Sequence, residues 1–124
     1  MDFVAFVTLL LVFQYLYFMA MVGKARDEAG IKAPAVTGDE TFERILRVQL
    51  NTLEQLMVTL PALWICAHYF SSSFAGTMGL VFFVGRLIYR NAYIADPSTR
   101  STGMIMGFIA NILLLVCAVF GVVF

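Results

Sequence analysis

The stretch FVAFVTLLLVFQYLYFMAMVG, residues 3–23, contains no charged side chain, and its apolar pattern is interrupted only by Thr8 and Gln14. Its length matches the ~20 residues that a helix needs to cross a ~30 Å hydrocarbon core. A secretory signal peptide would instead start with basic residues and end sooner, at a small-residue cleavage site. Since the whole chain is 61% hydrophobic and only 13% charged, we predict an integral membrane protein whose first helix spans the bilayer.

Breaks in the apolar pattern predict three further helices. The polar segment 24–40 contains two glycines and a proline and is expected to be a loop, with Asp39 or Thr41 capping the helix that follows. A serine turn at 71–73 and the Asp96-Pro97 break separate the remaining helices. The fold class predicted is an all-α, up-down bundle of four transmembrane helices that forms one membrane domain over residues 1–124. The helices are expected at about 3–25, 41–69, 74–94 and 100–124.

The charged residues gather at one end of this bundle. All eight basic side chains lie near the loops that follow helices one and three, and all acidic ones except Asp2 lie at the same end. The positive-inside rule then places these loops in the cytoplasm and both termini on the opposite side, in a bacterial inner membrane or the endoplasmic reticulum. The net charge of zero gives no support to nucleic-acid binding. The basic residues are Lys24, Arg26, Lys32, Arg44, Arg47, Arg86, Arg90 and Arg100.

Helix two has a polar face that continues into the predicted bilayer. At 100° per residue, five side chains fall within an arc of about 100°, whereas Gln49 points to the opposite side. A charge in hydrocarbon costs several kcal/mol, and a purely structural ion pair would add desolvation that an apolar pair avoids. This face is therefore predicted to be a binding site. Its side chains are Arg44, Arg47, Asn51, Glu54 and Gln55.

Helix three has a matching polar face at the same depth, formed by Arg86, Tyr89, Arg90 and Tyr93. Packed together, the two faces would enclose a pocket for a zwitterionic or anionic ligand near the cytoplasmic boundary. A simpler interpretation is favoured for three of the arginines, Arg44, Arg86 and Arg90, which are expected to extend to lipid headgroups.

Two segments, FERILRVQLNTLE at 42–54 and RLIYRNAY at 86–93, are followed by Arg100 at a characteristic distance. In these motifs and in its four-helix layout the chain resembles the membrane-associated proteins in eicosanoid and glutathione metabolism. The similarity is greatest to the branch of microsomal glutathione transferases and leukotriene C synthases. The resemblance implies a homotrimer in a lipid membrane, with glutathione bound in a U shape between adjacent subunits as co-substrate. A lipophilic electrophile is the implied second substrate, and no metal is implied.

The resemblance also implies roles for individual residues. Arg100 matches the arginine that faces the glutathione sulfur. Because free thiols titrate near ~8.5, a neighbouring cation is needed to form thiolate at neutral pH. That thiolate would conjugate lipophilic electrophiles or reduce lipid hydroperoxides. The alternative for Arg100 is a phosphate anchor at the start of helix four. The tripeptide would be held by Arg47, Asn51, Glu54, Tyr89 and Tyr93 of one subunit and by Arg26 and Gln49 of its neighbour.

Two positions depart from the family pattern. Asp27 stands where the leukotriene-forming member has a second arginine, and Gln55 replaces an aromatic residue that lines the tripeptide site. A general detoxifying transferase is therefore favoured over leukotriene synthesis. The alternatives are a non-catalytic lipid-binding scaffold, disfavoured by the presence of Arg100, and a small multidrug transporter. The transporter is disfavoured because Arg47 would compete for the Glu54 charge and repel a cationic drug.

The other polar residues within the helices receive structural interpretations. Gln14 and Asn111 are expected to make interhelical hydrogen bonds, and Gly103, Gly107 and Asn111 form a stripe for close helix packing. His68 has no spaced partner that would indicate a metal site.

Overall fold

The computed structural model describes all 124 residues and confirms four helices. Helices α2 and α3 pack against each other, and α1 and α4 each pack against both while having little contact with one another. A single 3-10 turn, Pro97–Thr99, precedes α4. The helices are α1 (Asp2–Ala29), α2 (Glu40–Tyr69), α3 (Ser72–Ala95) and α4 (Ser101–Val123).

Helices α1, α3 and α4 are each long and apolar enough to cross a membrane. Their outward faces are strongly apolar, as the 65% exposure of Phe13 and the 60% exposure of Val116 illustrate. Apolar surface this extensive requires lipid or protein to cover it. The molecule is therefore a membrane protein.

The core follows the helical periodicity of the sequence. Buried residues of α1 recur every third or fourth position, as in Val4, Val7 and Leu11, which gives the helix one inward stripe. This stripe belongs to one buried core that also contains the fully buried Leu63 of α2 and Leu114 of α4. Packing of this kind holds the polar faces of the helices at fixed relative positions.

The predicted end of the first helix is wrong by several residues. The charged residues after Gly23 continue α1 to Ala29 instead of forming a loop. They include a Lys24 and Glu28 pair at i, i+4, with 4.0 Å between Nζ and Oε1, and solvated charges on a helix end do not break it. The helix stops at Gly30, whose φ of 69° lies in the left-handed region that favours glycine.

Helix α2 begins with the cap that the sequence suggests. Of the two candidates, Asp39 has this role, because its Oδ2 accepts a hydrogen bond of 2.9 Å from the Phe42 N–H. The side chain satisfies one of the free N–H groups of the first turn. The polar half of α2 is thereby anchored next to the end of α1.

The interhelical hydrogen bonds predicted for Gln14 and Asn111 are confirmed. Gln14 Nε2 donates to the Phe83 carbonyl of α3 at 2.9 Å. Asn111 of α4 is bonded to both Thr59 and Gln55 of α2. In a lipid environment such bonds join helices, because apolar side chains gain little by leaving lipid for protein.

The closest approach of α3 and α4 occurs at Gly103. A Cβ atom there would lie 2.3 Å from the Tyr89 backbone nitrogen and 2.6 Å from the Gly85 carbonyl oxygen. Since both are backbone atoms, no side-chain rotation relieves the overlap. At Gly107 a Cβ would lie 3.5 Å from Phe82, which is ordinary contact. The predicted small-residue packing is confirmed, and Gly103 is its most constrained position.

We expect Gly103→Ala to force α3 and α4 apart and to lower the free energy of unfolding by about 3 kcal/mol, the upper part of the range for overpacking. Gly107→Ala is the matched control, and it should be neutral or stabilising by up to ~1 kcal/mol because alanine is the better helix former. Thermal unfolding in detergent, followed by circular dichroism, measures the difference. Equal stability of the two variants would contradict the close approach at Gly103.

Candidate functional site

The polar faces of α2 and α3 meet through Arg86. This side chain is only 1% exposed, and its Nη2 donates a 2.7 Å hydrogen bond to Asn51 Oδ1. Its guanidinium carbon lies 4.1 Å from the centroid of the Tyr89 ring. The expectation that Arg86 extends to lipid headgroups is wrong, because an amide oxygen and an aromatic face replace water inside the α2 and α3 interface.

Arg86 also determines how Asn51 is oriented. Because the Asn51 carbonyl oxygen accepts from Arg86, the amide N–H₂ group of Asn51 points elsewhere and is available to donate. The Arg86 Nε is buried without a hydrogen-bond partner. Arg86 belongs to the polar face predicted for α3, but its positioning role was not predicted from the sequence. Its spacing of three from Tyr89 was the available signal, since that spacing puts the two side chains on adjacent turns.

A cleft of about 460 Å³ opens beside this network, at the polar half of α2. Its wall contains Arg44, Arg47, Glu40 and Glu43 from α2 and Tyr93 from α3, together with apolar residues. The alternation of two cations with two carboxylates suits a ligand that carries both signs of charge.

The cleft is continuous with the other predicted binding residues. Arg47 Nη1 lies 3.5 Å from Glu54 Oε1, which is about two turns further along α2, and both side chains are largely exposed. On α3 the Tyr93 ring lies 5.5 Å from the Tyr89 ring, centroid to centroid. The structure therefore brings together five of the predicted binding residues. They are Arg47, Asn51, Glu54, Tyr89 and Tyr93.

Arg44 forms the junction between the cleft and the end of α3. Its Nη1 donates to the carbonyls of Ile94, at 3.1 Å, and Ala95, at 3.4 Å, and its Nη2 pairs with Glu40. The headgroup role expected for Arg44 is wrong, because the free carbonyls of a helix C-terminus attract a cation. For Arg90 that expectation stays a prediction; its Nη1 donates to Asn91 Oδ1 at 3.0 Å.

Arg100 lies at the start of α4, on the turn that follows α3. It is exposed, and its Nη1 donates to the Pro97 carbonyl at 2.9 Å. The turn is held by Asp96, whose Oδ1 accepts from the Ser98 backbone N–H at 3.1 Å and from the Ser98 hydroxyl at 2.9 Å. These hydrogen bonds lower the pKa of Asp96 below its usual value.

Arg26 and Gln49 are not brought into this group within the subunit. Arg26 Nη1 donates to the Ala35 carbonyl at 2.6 Å. Gln49 faces α1, where its Nε2 donates to the Tyr15 hydroxyl at 2.9 Å. Gln49 therefore points away from the polar face of α2, as the helical spacing predicts. The roles of both residues toward a neighbouring subunit stay predictions.

Comparison with known proteins gives one consistent family. An uncharacterised protein of Synechocystis sp. is 40% identical over 118 residues, which are 95% of this chain and 86% of that protein. Microsomal glutathione S-transferase 2 of Homo sapiens is 38% identical over 90% of this chain and 77% of its own length. Leukotriene C4 synthase of Cavia porcellus is 35% identical over 94% of this chain and 78% of its own. The sequence model described as the MAPEG family matches residues 4–120, and the chain with its four helices and polar α2–α3 site belongs to that family.

Proposed function

We propose that the protein is a membrane-bound glutathione transferase that conjugates glutathione to lipophilic electrophiles. The observation that carries the proposal is the continuous polar set from Glu54 through Arg47 and Asn51 to Tyr93, beside a cleft of mixed charge. Two of the relatives are named as a glutathione S-transferase and a leukotriene C4 synthase. The proposal is limited to conjugation and does not include hydroperoxide reduction.

The charges of glutathione fit this set. The tripeptide carries one ammonium and two carboxylates at neutral pH, so it needs an anionic and a cationic contact at a defined separation. Glu54 is the partner for the ammonium and Arg47 for a carboxylate, with which a guanidinium forms two parallel hydrogen bonds. The N–H₂ of Asn51, turned outward by Arg86, is a donor for a peptide carbonyl.

Arg100 is the proposed catalytic residue. Its guanidinium and the positive end of the α4 dipole both favour a thiolate over a thiol. The thiolate sulfur forms a bond to the electrophilic carbon; in a displacement the leaving group departs with its bonding electron pair, and in addition to an α,β-unsaturated ketone the C=C pair forms an enolate that takes a proton from water. When the electrophile is an epoxide, the C–O pair stays on oxygen, which then takes a proton from water.

The proposal includes a homotrimer of single-domain subunits spanning residues 1–124. Arg26 and Gln49 would then complete the site of a neighbouring subunit, since Gln49 points away from its own. Helix α2 would be a fourth transmembrane helix, because it packs against all three of the apolar helices. The charged loops would face the cytoplasm and the termini the opposite side.

The competing functions are less well supported. A multidrug transporter would need a carboxylate free to exchange a proton for a cation, whereas Glu54 already lies 3.5 Å from Arg47. Leukotriene synthesis is disfavoured by Asp27 and Gln55, which depart from the residue pattern of the leukotriene-forming member of the family. A non-catalytic scaffold would bind glutathione without forming thiolate, and the following experiments separate it from an enzyme.

We expect Arg100→Ala to retain glutathione affinity and to raise the pKa of the bound thiol by roughly 1 to 3, the usual effect of removing a nearby opposite charge. The ultraviolet absorbance of the thiolate, followed against pH in detergent, measures this pKa. Arg90→Ala removes a partly exposed arginine outside the site and serves as control. If thiolate forms equally in both variants, Arg100 is not the activating group.

Glu54→Gln and Arg47→Ala should each weaken glutathione binding roughly tenfold to a hundredfold, because each removes the charge from one charge-assisted contact with the tripeptide. Isothermal titration calorimetry of the solubilised protein gives the dissociation constants. Glu28→Gln, a neutralised carboxylate on the exposed end of α1, should bind as the unmodified protein does. Normal binding by both site variants would mean that the pocket lies elsewhere.

The shared site can be tested by mixing subunits. The double variant Arg26→Ala, Gln49→Ala and the variant Glu54→Gln should each have little conjugation activity alone. When equal amounts of the two variants assemble randomly into trimers, about a quarter of the interfaces would combine an intact Glu54 with an intact Arg26 and Gln49. About a quarter of the activity of the unmodified protein should therefore return. Mixtures with no more activity than the separate variants would show that both halves act within one subunit.

A further inference from the structure

A second groove, of about 340 Å³, lies between α2 and α4. It is lined by Met104, Ile105 and Phe108, which are 40%, 53% and 60% exposed, and by Gln55, the one polar side chain in its wall. An otherwise apolar groove on the outer surface of a membrane protein suits a lipophilic molecule. Gln55 is the feature that a purely lipid-binding groove would lack.

Hydrogen bonds on the buried side of the groove hold the amide of Gln55 in one orientation. Its Oε1 accepts a 3.1 Å hydrogen bond from Asn111 Nδ2, and the Asn111 Oδ1 accepts a 2.6 Å bond from the Thr59 hydroxyl. Asn111 is 4% exposed and Thr59 is fully buried. Since its oxygen faces this buried network, the N–H₂ group of Gln55 is left on the groove side.

That N–H₂ group has no hydrogen-bond acceptor within the chain. Gln55 takes part in one side-chain hydrogen bond, as acceptor, and its side chain is half-buried. A donor facing hydrocarbon without a partner costs several kcal/mol. Joining α2 to α4 uses only the oxygen of Gln55, so its N–H₂ group is free to bind a ligand that carries an acceptor.

The groove also lies in the right place relative to the proposed thiolate. Arg100, Met104 and Phe108 are spaced at i, i+4 and i+8, so they share one face of α4. On α2, Gln55 follows Glu54 directly and lies one turn beyond Asn51. A molecule in the groove would therefore extend from the depth of the bilayer toward Arg100.

We propose that Gln55 makes this groove select lipophilic electrophiles that carry a hydrogen-bond acceptor, such as α,β-unsaturated ketones, over hydrocarbon-like electrophiles of the same shape. The inference rests on the proposed function for the reaction that the bound molecule undergoes. The selection itself is a property of binding and is tested without the reaction.

The test uses two unreactive ligands of matched skeleton, 4-phenylbutan-2-one and butylbenzene, which differ in one carbonyl oxygen. Their binding to the detergent-solubilised full chain is measured for the unmodified protein and for Gln55→Met. The dissociation constant of 4-phenylbutan-2-one divided by that of butylbenzene should be about fivefold higher in Gln55→Met than in the unmodified protein. That is the effect of losing one neutral hydrogen bond. Comparing ratios between proteins cancels the different uptake of the ligands by micelles.

Two further variants keep the result interpretable. Gln14→Met makes the same substitution in the hydrogen bond to Phe83, outside this groove, and should leave the ratio unchanged. The double variant Gln55→Met, Asn111→Leu removes both partners of the amide pair and should show the same altered ratio as Gln55→Met without a buried amide left unpaired.

An unchanged ratio in both Gln55 variants would overturn the inference. Conjugation of glutathione to benzyl chloride by the unmodified protein reports the proposed function separately. Absent conjugation together with a shifted ligand ratio would refute the transferase and keep the groove. Conjugation together with an unshifted ligand ratio would support the transferase and refute the role of Gln55 in the groove.

Discussion

The hydrogen bond from Arg86 to Asn51 is the interaction on which the site depends. A cation that is 1% exposed is costly to desolvate, and one neutral amide with an aromatic face compensates for only part of that cost. We expect a helix pair with apolar residues in place of Arg86 and Asn51 to remain stable. What the bond contributes is registry, because it fixes α2 against α3 at one depth and turns the Asn51 donor outward beside Tyr89.

Binding and activation are assigned to different parts of the fold. The groups proposed to hold glutathione lie on α2 and α3, whose relative position is fixed by Arg86. Arg100 lies on a turn whose geometry depends on Asp96 and on the backbone contact at Gly103, where α4 meets Tyr89. The α2 binding residues and the proposed activating group Arg100 can therefore be altered separately, whereas a change at Gly103, which lies against the backbone of Tyr89, would disturb both. This separation explains why affinity and thiolate formation are expected to fail independently in different variants.

Apolar length and helical spacing predicted much of this structure. They predicted four helices and two polar faces that the structure brings together, with Glu54 on α2 and Tyr93 on α3. The cap of α2 was narrowed to Asp39 or Thr41, and only the structure decides for Asp39. They failed at the end of α1, because solvated charges permit a helix to continue until a residue such as Gly30 ends it. They also failed for Arg86 and Arg44, which were expected at lipid headgroups. Arg86 instead lies inside the α2–α3 interface, and Arg44 binds the carbonyls at the end of α3. Spacing gives the direction of a side chain about its own helix axis, whereas burial depends on how closely a neighbouring helix covers that direction.

The least apolar helix is the one that organises the others. Asn51, Gln55 and Thr59 follow one another at intervals of four along α2, and their hydrogen bonds reach α3, α4 and α4 again. In lipid, helices gain little from burying apolar side chains against each other, so such polar contacts decide which faces meet. One row on α2 thus sets the position of the proposed glutathione-binding network and, a single turn away, of the groove proposed for the electrophile. A substitution in that row would therefore alter both proposed subsites at once.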